Sequence, residues 1–178
     1  DETVNPTYGW SIGGTSVGTG ASLDLSSTSA MPSDTVVCTA TATDSDGATD
    51  SGSASVTVDN TLPVVTASIV ANGSSNSGEL TCSATASDLD DAPATPAIAY
   101  EWLDNAGTSL GSANPLQLTP AIAIDGDVIS CVATATDSSG GTATDTATHT
   151  VTNTPPVVDS ISISPAAPTA QTATLTCT

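Results

Sequence analysis

Lysine, arginine and phenylalanine are absent from this chain of 178 residues. The chain contains 19 acidic residues and a single histidine. With the histidine neutral, its formal net charge at pH 7 is −19. Because nucleic acids and anionic membrane surfaces are bound mainly through lysine and arginine, we expect the chain to bind neither. No run approaches the roughly 18 apolar residues of a membrane helix, so we also expect no membrane insertion in this segment.

Aromatic residues are scarce as well, at 2 % of the chain, so a core must be assembled from small aliphatic and β-branched side chains. High charge with few aromatics is typical of disordered chains. Two features favour a folded protein instead. The hydrophobic content is 38 %, and runs such as residues 34–43 and 127–136 are rich in valine, threonine and isoleucine. Such runs between turn residues are typical of strands, so the sequence predicts an all-β protein.

The sequence repeats itself at a spacing of about 93 residues. The string CTATATDSDG, which begins at Cys38, recurs as CVATATDSSG from Cys131, 93 positions further on. The string DNTLPVV recurs as TNTPPVV, and the YGW that ends at Trp10 recurs as the YEW that ends at Trp102. A third, partial copy follows, because the LTCT at the end of the chain matches the LTCS around Cys82.

These matches divide the chain into three segments, if the strands of one repeat are lettered A to G. Residues 1–60 make a partial module with strands C to G, residues 61–153 make a complete module, and residues 154–178 make a partial module with strands A and B. Only the middle segment contains every strand of the repeat. We therefore expect the two partial modules to be completed by neighbouring units.

The middle segment resembles the immunoglobulin layout, with Cys82 in strand B, Trp102 about 20 residues later in strand C, and Cys131 in strand F. The YxW motif and the TATDxxG hairpin also resemble the PKD-like repeats of large bacterial surface proteins, although LDNAGT replaces their glycine-rich stretch after the tryptophan. The resemblance implies tandem immunoglobulin-like antiparallel β-sandwich modules, as in extracellular adhesin stalks and fibres. The aromatic residues that it places in the cores are Tyr8, Trp10, Tyr100 and Trp102.

The four cysteines are expected to form disulfides. Cys82 and Cys131 fall on strands that should lie in facing sheets, so we expect them to pair within the middle module beneath Trp102. A metal or redox role is the alternative, but the chain has no CxxC motif and only one histidine. Cys38 and Cys177 are expected to pair with neighbouring units. Disulfides form in oxidising compartments, which predicts an extracellular or cell-surface location.

Clusters of aspartate are the one candidate binding chemistry in the sequence. One set flanks the turn between strands F and G of the first segment, and the other lies in the loop between strands B and C of the middle segment. The residues are Asp44, Asp46 and Asp50 in the first set, and Asp88, Asp90 and Asp91 in the second. Ca²⁺ takes six to eight oxygen ligands, so these loops are candidate calcium sites. The alternative is that they are solvated turn carboxylates that keep the surface soluble.

No catalytic motif is present: the sequence contains neither GxSxG, nor HExxH, nor a glycine-rich phosphate loop. We therefore expect a protein that is not an enzyme and has no cofactor other than the candidate calcium. The leading hypothesis is a structural array in which modules join copies of themselves or adjacent modules end to end. The alternatives are a module that binds a carbohydrate or a receptor, and accessory modules of a secreted enzyme.

Overall fold

The computed structural model describes residues 4–73, 75–92, 94–171 and 173–178, so residues 1–3 of the predicted first segment lie outside it. Over these ranges the chain forms β-strands and one short 3₁₀ turn, η1 (Leu25–Ser27), without any α-helix. The strands are β1 (Thr7–Ile12), β2 (Thr15–Thr19), β3 (Thr35–Thr43), β4 (Thr49–Thr57), β5 (Val64–Asn72), β6 (Glu79–Ser87), β7 (Ala97–Leu103), β8 (Ser109–Gly111), β9 (Leu116–Gln117), β10 (Val128–Thr136), β11 (Thr142–Thr150), β12 (Ile163–Ser164) and β13 (Thr176–Cys177). All strand pairs are antiparallel, which confirms the predicted all-β class.

More buried and less buried residues alternate along strands such as β10, which explains how these strands form. Strand β10 reads VISCVATAT, and its Ile129, Cys131, Ala133 and Ala135 are buried while the residues between them are half-buried. Successive side chains of a strand point to opposite faces, so this pattern turns one face of the strand toward a core. Small apolar residues and threonine suit such a half-buried pleated surface.

The middle of the chain is a β-sandwich of two sheets. Strands β5, β6 and β9 form one sheet in that order, and strands β8, β7, β10 and β11 form the other. The disulfide between Cys82 on β6 and Cys131 on β10 connects the two sheets, with a Cα–Cα distance of 6.3 Å. Strand β5 also lies against β11, where the backbone N–H of Ala67 donates to Oδ2 of Asp145 at 2.7 Å.

Trp102 is the centre of this sandwich. Its side chain is fully buried, and its indole Nε1–H donates to the carbonyl oxygen of Ala113 at 3.0 Å. Tyr100 lies on the same face of β7, and its hydroxyl accepts a hydrogen bond from the backbone N–H of Ala84 at 3.1 Å. The buried residues that form the core cluster are Leu80, Cys82, Trp102, Leu116, Leu118, Ala123, Ile129, Cys131 and Val151.

The first part of the chain forms a single sheet with the strand order β2, β1, β3, β4. Its pairing matches that of the β8, β7, β10, β11 sheet: Trp10 lies opposite Cys38 as Trp102 lies opposite Cys131. An irregularity follows the tryptophan in both sheets, between residues 10 and 11 and between residues 102 and 103. The two sheets therefore share strand order and register.

The last part of the chain forms a short hairpin of β12 and β13. Ile163 pairs with Cys177, as Ile69 pairs with Cys82 between β5 and β6. Ser162 and Thr178 extend the hairpin by exchanging backbone hydrogen bonds of 2.7 and 3.0 Å. The hairpin thus has the register of the β5–β6 pair but only part of its length.

The polypeptide reaches the middle sandwich at one end and leaves it at the other. Asn60 contacts Asp137 in the β10–β11 turn, which marks the first end. At the opposite end, the backbone of Val151 exchanges hydrogen bonds with Gly126 and Asp127. Strand β11 spans the nine residues between these ends, a length of about 30 Å.

Candidate functional site

The sheet of the first segment has an apolar face with little to cover it. Tyr8 and Trp10 lie on this face of β1, and Cys38 and Ala40 lie opposite them on β3. We call this surface the open face. Trp10 is only partly buried, whereas Trp102 at the matching position is fully buried. The open face therefore presents the chemistry of a sandwich core to its surroundings.

Local contacts on the open face are already formed without a facing sheet. The indole Nε1–H of Trp10 donates to the carbonyl oxygen of Gly20 at 2.9 Å, as Trp102 does to Ala113. Val36 on β3 is 2 % exposed, but Leu25 beside the sheet is 42 % exposed. The side chain that matches Leu25 in the middle sandwich is Leu118, which is 1 % exposed.

The hairpin of β12 and β13 exposes the complementary residues. Ile163 is 59 % exposed and Leu175 is 55 % exposed, and Cys177 is exposed as well. The residues at the matching positions of the middle sandwich are Ile69, which packs against the core, and Leu80 and Cys82, which are buried in it. The chain thus carries an uncovered core face near its start and an uncovered strand pair near its end.

The cysteines fall into two kinds. Cys82 and Cys131 are joined in a disulfide, and both are buried next to Trp102. Cys38 and Cys177 carry free thiols, the first half-buried on the open face and the second exposed on the hairpin. The structure therefore bonds one pair of cysteines and leaves the other two on the uncovered surfaces.

A second candidate site lies where the linker after β4 meets the loops of the middle sandwich. We call it the acidic junction, and its members are Asn60, Thr61, Asp88, Asp90, Asp91, Asp137 and Ser138. Thr61 donates its backbone N–H to Oδ2 of Asp90 at 2.9 Å and its hydroxyl to Oδ1 of Asp88 at 3.1 Å. The side-chain amide of Asn60 donates to Oδ2 of Asp137 at 2.9 Å. These hydrogen bonds attach the linker to two loops.

The two loops of the junction are also attached to each other. Asp91 is 8 % exposed, and its carboxylate accepts hydrogen bonds from the backbone N–H and the hydroxyl of Ser138. Oδ1 of Asp137 closes the β10–β11 turn by accepting from the backbone N–H groups of Ser139 and Gly141. Gly141 permits the close approach of the linker, because a Cβ at this position would clash with Asp137 and Asn60.

The carboxyl groups of the junction differ in acidity. The adjacent side chain of Asp90 raises the pKa of Asp88 above its ordinary value, and desolvation acts in the same direction. The same contact lowers the pKa of Asp90, with help from the backbone N–H of Thr61. The hydrogen bond from Asn60 lowers the pKa of Asp137. Within the junction, one buried oxygen each of Asn60, Asp88 and Asp90 has no hydrogen-bond donor.

The two predicted aspartate sets are placed apart and have different roles. Oδ1 of Asp44 closes the β3–β4 turn by accepting from the backbone N–H groups of Asp46 and Ala48, and Asp50 is exposed on β4. The second set, by contrast, belongs to the junction. No group of three or more acidic, histidine or cysteine side chains in the described ranges is arranged to hold a metal ion. Calcium at either set stays a prediction.

Several residues of the open face, the hairpin and the acidic junction were not predicted as site residues from the sequence. Asn60, Thr61 and Asp137 were not predicted to join the linker to the loops, because the contacts between linker and loops connect positions 27 to 77 residues apart. The repeat spacing pairs Leu25 with Leu118, but neither Leu25 nor Leu175 was assigned a place in a core. The alignment that matches Cys177 to Cys82 also matches Leu175 to the core residue Leu80, two positions earlier.

The sheets and the disulfide define a sandwich-like all-β protein. No protein-family model matches the chain, and no curated protein matches its sequence. Across the part of the chain that the structure describes, no helix is long and apolar enough to cross a membrane.

Proposed function

We propose that this chain is a structural segment of an extracellular fibre, stalk or adhesin shaft, built from tandem immunoglobulin-like modules of about 93 residues. In this proposal the partial modules at its two ends are completed by the neighbouring unit. The neighbour is either a further stretch of the same polypeptide or a separate copy, and the contact is the same in both cases.

The observation that carries the proposal is that the core residues of the middle sandwich have counterparts divided between the two ends of the chain. The nine core residues of the middle sandwich all have counterparts elsewhere in the sequence, and eight of the nine are identical. Seven counterparts belong to the first segment: Trp10, Leu23, Leu25, Ala30, Val36, Cys38 and Val58. The other two, Leu175 and Cys177, belong to the last segment. A core of this composition is complete only when both segments meet.

The exposure of the counterpart residues supports the same proposal. Leu175 is 55 % exposed where its counterpart Leu80 is fully buried, and Leu25 is 42 % exposed where Leu118 is 1 % exposed. Burial of an apolar side chain of this size contributes roughly 1.5–3 kcal/mol relative to leaving it in water. Docking of the hairpin on the open face would bury both leucines together with Trp10. A neighbouring unit would obtain this stabilisation by docking, and the middle sandwich would not have to change.

The path of the chain favours a linear array. The linker reaches the middle sandwich at the acidic junction, and the chain leaves about 30 Å away at the other end of β11. The chain leaves the first segment with the same backbone hydrogen bonds as it leaves the middle sandwich. Val58 exchanges hydrogen bonds with Asp34 and Ser33. Val151 does the same with Asp127 and Gly126. Modules linked in this way follow one another end to end.

The experiment is sedimentation velocity of the 178-residue chain at 0.15 M salt with a reducing agent, over a range of protein concentrations. The salt is needed because copies with a net charge of −19 repel each other, and it shortens the Debye length to about 8 Å. We expect larger species as the concentration rises. A matched pair of variants locates the contact: Leu175→Asp should abolish assembly, while Val70→Asp, at a strand position already 64 % exposed, should preserve it.

A wild-type chain that stays monomeric at every concentration would overturn the proposal. So would assembly that Leu175→Asp leaves intact, because the hairpin would then not be the contact. Electron microscopy of the assembled sample adds a second readout, since an end-to-end array gives linear particles and a side-by-side contact gives compact ones.

A further inference from the structure

We propose that Cys177 of one copy and Cys38 of a second copy form a disulfide that locks consecutive copies together. This inference rests on the proposed function, because it requires the hairpin of one copy to dock on the open face of the next. It adds a covalent bond, a specific pair of atoms and a dependence on redox conditions to that contact.

The middle sandwich provides the internal template. Cys131 lies opposite Trp102 and Ala147 on its neighbouring strands, and Cys38 lies opposite Trp10 and Ala54 in the same way. The strand environment of the acceptor thiol is therefore the environment in which the chain already holds a disulfide.

The donor thiol matches its template equally well. Cys177 pairs with Ile163 as Cys82 pairs with Ile69, and the pairs before and after it have the same register. If the hairpin docks as β5 and β6 do, the backbones of Cys177 and Cys38 are brought to the separation of the existing pair. That separation is 6.3 Å between the Cα atoms of Cys82 and Cys131, within the range that a disulfide requires.

Docking also supplies the missing strand partner of the first segment. In the middle sandwich Leu80, two residues before Cys82, pairs with Leu116 of β9. The matching pair is Leu175 with Leu23, and Leu23 lies in no strand of the described structure. Pairing of these leucines fixes the register of the docked hairpin and thus places Cys177 over Cys38.

The chemistry is an exchange with an external disulfide, such as glutathione disulfide. The exposed thiolate of Cys177 attacks one sulfur of glutathione disulfide, forms a mixed disulfide and releases one glutathione thiolate. After docking, the thiolate of Cys38 attacks the sulfur of Cys177 and releases the second glutathione. The two cysteine thiols lose two protons and two electrons in total, and glutathione disulfide is reduced to two glutathione molecules.

The test is oxidation of the 178-residue chain with a glutathione redox buffer at 0.15 M salt, followed by alkylation and a non-reducing gel. We expect a ladder of disulfide-linked oligomers, and peptide mapping should find Cys38 joined to Cys177. The variants Cys38→Ser and Cys177→Ser should each give no ladder. An equal mixture of the two variants should give a linked dimer with one copy of each and nothing larger, since only one competent thiol pair remains.

Sedimentation under reducing conditions separates this inference from the proposed function. If the chain assembles there but both thiols are alkylated after oxidation, the cross-link is wrong and the proposed function stands. Links of Cys38 to Cys38 or of Cys177 to Cys177, or closure of the pair within one copy, also overturn the cross-link. If the chain does not assemble even in reducing buffer, the proposed function fails first.

Discussion

Two sheets of this protein share one design and differ in what covers them. The sheet of β2, β1, β3 and β4 and the sheet of β8, β7, β10 and β11 have the same strand order, and their tryptophan and cysteine pair in the same register. In the second sheet β10 alternates between buried and half-buried residues, whereas only Val36 is buried in β3. Strand pairing is thus encoded within each segment, but burial depends on the facing strands.

The effect of the missing cover is visible at the position of β9. In the middle sandwich Leu116 and Gln117 form this short strand by pairing with β6. Their counterparts Leu23 and Asp24 form no strand, and Asp24 instead caps the η1 turn by accepting from the backbone N–H of Ser26. An edge strand of two residues exists only where its partner is present.

The largest expected effect contrasts the two tryptophans. Trp102→Ala should lower the free energy of unfolding of the middle sandwich by about 3–5 kcal/mol, because it empties the centre of a packed core. Trp10→Ala should leave that unfolding transition unchanged and should instead abolish concentration-dependent assembly. Chemical denaturation of the dilute chain measures the first effect, and sedimentation measures the second. Equal destabilisation by both variants would contradict the difference in cover.

A smaller effect is expected at Gly141. A methyl group there would collide with Asp137, Asn60 and Leu62, so Gly141→Ala should destabilise the junction by about 1–3 kcal/mol. Gly52→Ala is the matched control, since a Cβ at Gly52 meets no atom within 4 Å. Thermal unfolding of the two variants measures the difference. If Gly141→Ala is as stable as the control, the linker does not pack against the β10–β11 turn as described.

Acid should weaken the same junction. The pKa of Asp137 is lowered in the folded protein, so its carboxylate stabilises the fold at pH values above the unfolded pKa of about 3.9. This contribution is lost as the pH falls through the folded pKa. We expect Asp137→Asn to lose less stability than the wild type between pH 4 and pH 2 in thermal melts. Asp44→Asn, which alters the corresponding turn of the first segment, is the control, and identical pH profiles for wild type and Asp137→Asn would reject the assignment.

The smallest expected effect concerns calcium. Two carboxylates and one amide contribute the donor-free oxygens of the junction, a set too small for tight binding. If the dissociation constant is about 1 mM, as in weak extracellular calcium sites, 1 mM calcium adds about 0.4 kcal/mol of stability, or a rise of roughly 2–3 °C in the melting temperature. EDTA at constant ionic strength should reverse the rise, and Asp90→Asn should remove it. An unchanged melting temperature would show that the junction carboxylates bind no calcium and act only as hydrogen-bond acceptors.

The sequence predicts the strands, because strand formation depends on a local pattern of residues. The alternation in runs such as VISCVATAT predicts strands, and the confirmed all-β class follows from it. Cys82 and Cys131 were also predicted to lie in facing sheets, where the structure joins them in a disulfide. These features can be predicted because the side chains on one face of a strand recur at every second residue.

The acidic junction could not be predicted in the same way. Its contacts join Thr61 to Asp88, Asn60 to Asp137 and Asp91 to Ser138, pairs from loops whose relative position is set by the packing of the whole sandwich. Aspartate in a turn is common for purely local reasons, as Asp44 illustrates. Composition therefore identified the acidic loops but not which carboxylates hold the linker.

The most direct test of the account is to supply the missing strands separately. A peptide of residues 154–178 with Cys177→Ser is titrated by calorimetry into a chain of residues 1–153, which keeps the open face and lacks the hairpin. We expect one peptide to bind per chain, and we expect the same peptide with Leu175→Asp not to bind. A chain of residues 61–178, which lacks the open face, should also bind no peptide. Absence of binding to residues 1–153, or equal binding to both chains, would contradict the claim that the hairpin covers the open face.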